Sequence, residues 1–282
     1  MADLKATAKV RGITATGSVS RPSGSGRVSG SVPLKQDYFQ WRQETFEPLH
    51  HWPMQDSEAA TVSKPMTESP VLTPIDIGST APSERALVRP AHRYRSWETS
   101  QWSGADGLVA DGYRFSWIHQ TGVFTIVAWI HTGNDGVGVQ KIIANADHGD
   151  EAGFDFWCRG SNFVRANTLS FRTAQGGSMG GLVGRGNSIL GGRSHHVAAV
   201  GDGDTVTAYR DGASIESAPF EADNRDAEAS HDLHVMQAPD DNRPIQAGAG
   251  FIVDDRPWTA DEIRADYERG LSVLHPHDGG DW

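Results

Sequence analysis

The sequence has little of several features on which other classes of protein depend. Cys158 is the only cysteine, so an intramolecular disulfide is excluded and the fold is expected to hold by burial. No apolar stretch reaches the roughly 18 residues of a membrane-spanning helix, which excludes such a helix. Residues 1–20 contain no apolar run of about seven residues, so we expect no secretory signal.

The common motifs of nucleotide, metal and serine-nucleophile sites are also missing. There is no phosphate-binding glycine loop that ends in GK[ST], no CxxC pair and no GxSxG elbow. The adjacent histidines His50–His51 and His195–His196 point to opposite faces of a strand and do not readily chelate one ion. We therefore expect no cofactor and no metal, and a packing role for His196.

Basic residues are few and unevenly distributed. The chain has 25 Lys and Arg against 36 Asp and Glu, and this net charge of −11 argues against nucleic-acid binding by the whole protein. Residues 1–35 have the opposite balance, with six basic residues against the single acidic residue Asp3. The sequence thus joins a basic N-terminal segment to an acidic body.

Residues 1–47 are predicted to form an extended anchoring arm. Its first 35 residues are rich in Ser, Gly, Thr and Val and cannot bury enough apolar surface to fold alone, and the aromatic residues of 36–47 are expected to form a joint. The arm is expected to dock on an acidic partner or a neighbouring copy, and a flexible linker is the alternative. The candidate anchoring residues are Lys5, Lys9, Arg11, Arg21, Arg27, Tyr38, Phe39 and Trp41.

The pattern of short apolar runs from residue 123 onwards predicts an antiparallel β-sandwich. Residues 123–131, VFTIVAWIH, are apolar on both faces and indicate a central strand. Shorter runs follow, separated by Gly, Asn and Asp, and Asp211-Gly212 predicts a tight hairpin turn. A helix is expected over 259–270, with Thr259 and Glu262 as its capping box and Gly270 at its end.

The order of these segments resembles the laminin-G-like, concanavalin A-like jelly rolls. The resemblance covers residues 48–270 and implies an all-β antiparallel jelly-roll sandwich, here in a domain at 48–282 with an extended N-terminal arm and one short C-terminal helix. Ala249 stands where that family often has an acidic residue, so a calcium site there lacks support. The matching motifs are FTIVAW at 124–129, HVA at 196–198, YRDG at 209–212 and RPWTADEI at 256–263.

A catalytic carboxylate pair, which glucan-cleaving enzymes of this wider fold carry on a strand, finds only weak matches. Glu221, Asp223 and Asp226 lie in a polar, turn-like stretch, which favours a solvated loop over catalysis. Glu151 and Asp155 are four residues apart, with one of them expected in a turn. The sequence therefore predicts that the protein is not an enzyme. A glycoside hydrolase or lyase ranks third, after the two non-catalytic hypotheses given below.

Loop residues offer candidates for glycan binding, with solvated turns and core packing as the competing interpretations. The leading hypothesis is a non-catalytic structural protein of a bacteriophage virion, in a capsid decoration, fibre or tail, that displays the sandwich. The expected partners are virion proteins such as the major capsid protein, sister subunits and a cell-surface glycan. The alternative to a virion protein is a free carbohydrate-binding lectin. The candidate glycan-binding residues are Trp97, Trp102, Asp147, His148, Asp240 and Asn242.

Overall fold

The chain falls into two units in the computed structural model. Contacts divide it into Met1–Leu34 and Lys35–Trp282. In the first unit, β1 (Lys9–Val10) pairs antiparallel with β2 (Ile13–Thr14). The structure describes residues 9–10, 13–14, 38–54, 62, 64–75, 80–83, 96–99, 107–132, 139–146, 150–159, 169–173, 194–220, 226–237, 243–245 and 247–274.

The second unit contains two β-sheets, and every pairing except that of β16 with β9 is antiparallel. One sheet has the order β11-β10-β9-β15-β7-β4, with β16 beside β9; the other has the order β14-β13-β12-β8-β17-β6-β5, with β3 beside β17. The antiparallel jelly-roll sandwich predicted from the sequence is confirmed. Its strands are β3 (His50–Trp52), β4 (Thr73–Pro74), β5 (Thr80–Ser83), β6 (Ser96–Thr99), β7 (Leu108–Ala110), β8 (Val123–His131), β9 (Val139–Ala144), β10 (Phe154–Arg159), β11 (Leu169–Thr173), β12 (Ser194–Asp202), β13 (Thr205–Arg210), β14 (Ala213–Pro219), β15 (Leu233–Val235), β16 (Arg243–Pro244) and β17 (Ala247–Asp254).

The strand β8 lies at the centre of the eight-stranded sheet, between β12 and β17. Phe124 and Ile126 belong to the main core between the sheets. Val127 belongs instead to a second apolar cluster, which also includes Trp258 and Ile263. Both faces of β8 are therefore covered, as its continuous apolar sequence predicts.

Three helices accompany the sheets in the described part of the chain: α1 (Tyr38–Phe46), α2 (Trp117–Thr121) and α3 (Ala260–Leu274). The α1 segment was expected to be a joint in an anchoring arm, and this expectation is wrong. Tyr38 and Phe39 are 0% and 3% exposed and lie in the core, so neither side chain serves as a surface anchor. The boundary between the units precedes α1, after Leu34 rather than at residue 47.

The start of α3 is confirmed and its predicted end is wrong. Glu262 N–H donates to Thr259 Oγ1 over 3.2 Å and Thr259 N–H donates to Glu262 Oε2 over 2.8 Å, which is a complete capping box. The helix continues past Gly270 to Leu274. Gly270 instead lies against the Trp129 ring, where a β-carbon would be 2.6 Å from Cζ2.

The turn at Asp211-Gly212 is confirmed as a tight hairpin between β13 and β14. The two residues have φ angles of 50° and 76°, the left-handed values that a two-residue hairpin turn requires. Asp211 also accepts hydrogen bonds from His195 Nδ1 at 2.9 Å and from the His196 backbone N–H at 3.1 Å. The turn is thereby tied to the start of β12.

A buried polar network joins α1 and α3 to the eight-stranded sheet. The Asp266 carboxylate accepts hydrogen bonds from Tyr38 Oη (2.8 Å), Arg42 Nη2 (2.8 Å) and His196 Nε2 (2.9 Å). Arg42 Nη1 donates to the Gly250 carbonyl at 2.6 Å. Burial opposes ionisation of Asp266, but Arg42 and these hydrogen bonds outweigh it and lower the pKa of the carboxyl.

No helix in the described residues is long and apolar enough to cross a membrane.

Candidate functional site

An open depression lies where loops leave β7 and enter β15. It has a volume of about 560 Å³ and two acidic, one basic and one aromatic side chain in its lining. We call it the rim depression, and its lining residues are Gly112, Arg114, Phe115, Ser116, Glu228 and Asp232.

Backbone hydrogen bonds hold the two loops of the rim depression together. Gly112 N–H donates to Asp232 Oδ2 at 2.9 Å, and Leu233 N–H donates to the Tyr113 carbonyl at 2.9 Å. Ala229 N–H donates to Ser116 Oγ at 2.8 Å. The lining groups thus have fixed positions, which a preformed binding site requires.

Asn145, at the end of β9, connects these loops to the sheet. Its Nδ2 donates to the Arg114 carbonyl, its Oδ1 accepts from Phe154 N–H at 2.7 Å, and its carbonyl accepts from His231 N–H at 3.0 Å. Gly153 keeps the close approach possible, because a β-carbon there would lie 2.7 Å from Asn145 Oδ1. One buried amide therefore positions three segments of the rim.

Arg114 supplies the positive charge of the rim depression. Its Nη1 donates to the Ala229 carbonyl at 3.1 Å and lies 3.9 Å from Glu228 Oε2, and its Nε lies 4.0 Å from Asp232 Oδ1. About half of the Arg114 side chain is exposed. The guanidinium is thus held between two carboxylates at the surface.

Two aromatic residues flank Arg114. Tyr113 is 50% exposed, the highest value among the exposed large hydrophobic side chains of the described residues. Phe115 is buried against the His50 ring, with centroids 4.7 Å apart, and has a φ of 53°. A bulky residue in the left-handed region is strained, and such strain is characteristic of binding and catalytic sites.

Histidines lie beside the rim depression. His231 Nε2 is 3.2 Å from Asp150 Oδ2. Burial lowers the pKa of His234 from 6.5 to about 4, with a further lowering by His231, so His234 is neutral at physiological pH. Among the described residues, no group of His, Cys, Asp or Glu is arranged to hold a metal ion.

The outer face of the seven-stranded sheet holds a second group of charges. Asp155 Oδ2 accepts a hydrogen bond from Lys141 Nζ and another from Arg172 Nη2 at 3.0 Å. Both cations also approach the Trp157 ring, at 5.6 and 4.9 Å from its centroid. Asp155 is 1% exposed, which makes this group a buried ion cluster rather than an open cleft. Glu151 lies in a bend and is exposed, consistent with the turn expected for one member of that pair.

Most sequence-predicted candidates fall outside the described residues. This applies to the glycan-binding candidates Trp102, Asp147, His148, Asp240 and Asn242, to the arm residues Lys5, Arg11, Arg21 and Arg27, and to Glu221 and Asp223. The backbones of Trp97 and Lys9 lie in β6 and β1, and their side chains are outside the description. Trp41 is partly buried and packs against both apolar clusters.

The adjacent histidines do occupy opposite faces of their strands. His50 Nδ1 bonds Ser69 Oγ at 2.8 Å, whereas His51 Nδ1 bonds Gln43 Oε1 of α1 at 3.2 Å. His196 is fully buried beside Asp266, so its expected packing role is confirmed. Asp226 lies exposed in a turn, as expected.

The sequence reasoning missed the residues of the rim depression. Arg114 and Asp232 are more than 100 positions apart and are brought together by the pairing of β7 with β15. The available signal was the segment DGYRFS at 111–116, a turn with an aromatic and a basic residue directly after a buried strand.

A two-sheet antiparallel sandwich with a loop-built depression at its rim defines the class of concanavalin A-like domains. The model of the laminin-G type, described as the concanavalin A-like lectin/glucanases superfamily, matches residues 104–261. The chain belongs to this family. No curated protein matches the sequence.

Solved structures with the same fold have low sequence identity. Trypanosoma rangeli sialidase in complex with sialic acid is 11% identical with a TM-score of 0.54, and the match covers 79% of this chain and 33% of the sialidase. The chain thus spans about a third of that protein. Domain 4 of AbnA, a GH43 extracellular arabinanase from Geobacillus stearothermophilus in complex with arabinotriose, is 12% identical with a TM-score of 0.53, and the match covers 78% of this chain and 98% of that domain.

Proposed function

We propose that this protein is a non-catalytic carbohydrate-binding protein and that the rim depression holds the glycan. The observation that carries the proposal is an open depression lined by Arg114, Ser116, Glu228 and Asp232, together with the half-exposed Tyr113, whose chain neighbours Gly112 and Arg114 both belong to the lining. Sugar sites combine an aromatic surface for C–H faces with a few fixed polar groups for hydroxyls. The segment at 112–116 supplies both, an exposed ring from Tyr113 and polar lining groups from Arg114 and Ser116.

The family and the fold neighbours support an oligosaccharide as the class of ligand. The arabinanase domain, of which the match covers 98%, was solved with arabinotriose. That domain is of the same size class as the second unit of this chain, which favours a comparable role as a binding module. A carbohydrate is accordingly the first ligand to test.

The ion cluster on the outer sheet face supports a non-catalytic role. Most glycosidases use two carboxyl groups about 5–9.5 Å apart, one of them as acid. The strands of the seven-stranded sheet carry a single carboxylate, Asp155, and it is paired with Lys141 and Arg172. This face therefore offers no second carboxyl group from its strands.

Glycan-array screening of the full chain, followed by calorimetry on the retained glycans, tests the proposal. Tyr113→Ala should weaken binding about tenfold, because a stacking contact contributes about 1–1.5 kcal/mol. Tyr113→Phe keeps the ring and should bind within about threefold of the native chain. Ile75→Ala, which removes another exposed apolar side chain, is the matched control. Native binding by Tyr113→Ala, or no retained glycan, would contradict the proposal.

We also propose that residues 1–34 anchor the protein in a bacteriophage particle, on virion proteins such as the major capsid protein or on sister subunits. The support is charge and organisation: this segment has five basic residues and one acidic residue in a chain of net charge −11, and it forms a unit of its own. Opposite charges favour docking of such a segment on an acidic surface.

Co-sedimentation with particles of the encoding phage tests the anchor. The truncated chain should begin at Lys35, because a start at Pro48 also removes α1 with its buried Tyr38 and Arg42. The full chain should sediment with the particles and the Lys35 form should remain in the supernatant with native circular dichroism. Equal incorporation of both forms would refute the anchor.

A further inference from the structure

The charges in the rim depression limit the kind of glycan that fits there. Arg114 is the one basic side chain among the described lining residues, and Glu228 and Asp232 lie 3.9 and 4.0 Å from it. A ligand carboxylate would have to compete with both for the same guanidinium. The acidic groups of the lining therefore outnumber its basic group before any ligand binds.

Residues around the depression add negative charge. Asp111 and Asp226 are exposed in the turns next to Gly112 and Glu228. Asp150 lies beside His231, with 3.2 Å between Oδ2 and Nε2. His234 is neutral at physiological pH because burial lowers its pKa to about 4. Among the described residues, the charges around the depression are accordingly more often negative than positive.

The hydrogen-bonding groups also match an uncharged polyol. Carboxylates accept hydrogen bonds and do not donate them, and sugar hydroxyls are donors. The Glu228 side chain is 79% exposed and the Asp232 side chain 32%, so both can reach a ligand at the opening. Arg114 already donates to the Ala229 carbonyl, which holds it in place beneath the two acceptors.

We propose that the rim depression selects neutral oligosaccharides and rejects those that carry carboxylates, such as uronic or sialic acids. This inference rests on the proposed glycan-binding function and adds the charge class of the ligand. It also separates this chain from its fold neighbour, the sialidase, which was solved with the anionic sugar sialic acid.

Calorimetry with matched ligands tests the inference on the full chain. The probes are trisaccharides of arabinose, galactose and glucose, together with trisaccharides of galacturonate and glucuronate. We expect at least one neutral trisaccharide to bind at least tenfold more tightly than either uronate trisaccharide at about 0.15 M salt. The ratio should shrink at about 1 M salt, where screening acts over about 3 Å.

Variants that remove one carboxylate test whether the charges of the rim depression cause the preference for neutral sugars. Glu228→Gln should reduce the ratio of neutral to uronate affinity about threefold. Glu268→Gln removes an exposed carboxylate on α3, outside the rim depression, and should leave the ratio unchanged. Uronates that bind as tightly as the neutral sugars, or a ratio that Glu228→Gln does not alter, would overturn the charge selection while leaving glycan binding intact. Absence of binding by every probe would overturn the proposed function and the inference together.

Discussion

Replacement of Asp266 by alanine should destabilise the protein more than an ordinary surface substitution. The variant removes the carboxylate that accepts hydrogen bonds from Tyr38, Arg42 and His196, and it leaves the fully buried guanidinium of Arg42 with the Gly250 carbonyl as its remaining acceptor. Breaking a buried ion pair by removal of one partner costs about 3–5 kcal/mol. With a urea m-value of about 2–3 kcal/mol/M, the unfolding midpoint should fall by about 1–2.5 M.

The assay is urea unfolding followed by tryptophan fluorescence and circular dichroism. The double variant Arg42→Met, Asp266→Leu removes both charges and should recover part of the lost stability, because no buried guanidinium is left uncompensated while Tyr38 and His196 still lack the Asp266 acceptor. A loss below about 1 kcal/mol for Asp266→Ala, or a double variant no more stable than the single one, would refute the view that this network fastens α1 to the sheet.

Three further outcomes follow from burial. Burial lowers the pKa of His50 and His234 from 6.5 to about 4, so these two histidines should not change the unfolding free energy above pH 6.5. Between pH 6.5 and 4 the unfolding free energy should fall by about 1–2 kcal/mol for each histidine, after allowance for its partial exposure. Urea titrations across this pH range measure the decrease. Gly270→Ala should lower the stability of the protein by about 1–2 kcal/mol net, as thermal unfolding would measure. The new β-carbon would meet the Trp129 ring, and this strain outweighs the usual gain of alanine in a helix. A variant of equal or greater stability would contradict the close packing of Gly270 against Trp129. Burial raises the pKa of Cys158 to about 12, so thiol labelling of the native chain should be slow and should follow global unfolding; fast native labelling would contradict this.

Local patterns were sufficient to predict much of the fold. The strand β8, the turn at Asp211-Gly212 and the capping box at Thr259 each depend on residues within a few positions of one another. Such signals survive in the sequence because their energetics are local. The fold class followed from their order along the chain.

The errors arose where long-range contacts decide the structure. The segment with Tyr38 and Arg42 lacks a clear apolar face, and it is buried because its polar groups meet Asp266, more than 220 positions away. Gly270 suggested a helix end, yet it lies inside α3 because the Trp129 ring needs the space. Neither partner is visible from local sequence.

The rim depression is a product of topology in the same way. Its two loops meet because β7 pairs with β15, and the hydrogen bond from Gly112 to Asp232 spans 120 positions. Composition alone marked the loops of the chain as polar, without indicating which of them converge. The rim depression can therefore be located only once the sheet order is known.

Binding of a glycan in the rim depression can be observed residue by residue. The most direct test is an NMR titration of the isotope-labelled full chain with the best ligand from the array, in which backbone amide shifts are mapped onto the structure. We expect the largest shifts at Gly112–Ser116 and Glu228–Asp232, with the indole signals of Trp157 and Trp258 unchanged. Shifts centred on Asp155 and Trp157 would place the ligand on the outer sheet face and refute binding in the rim depression.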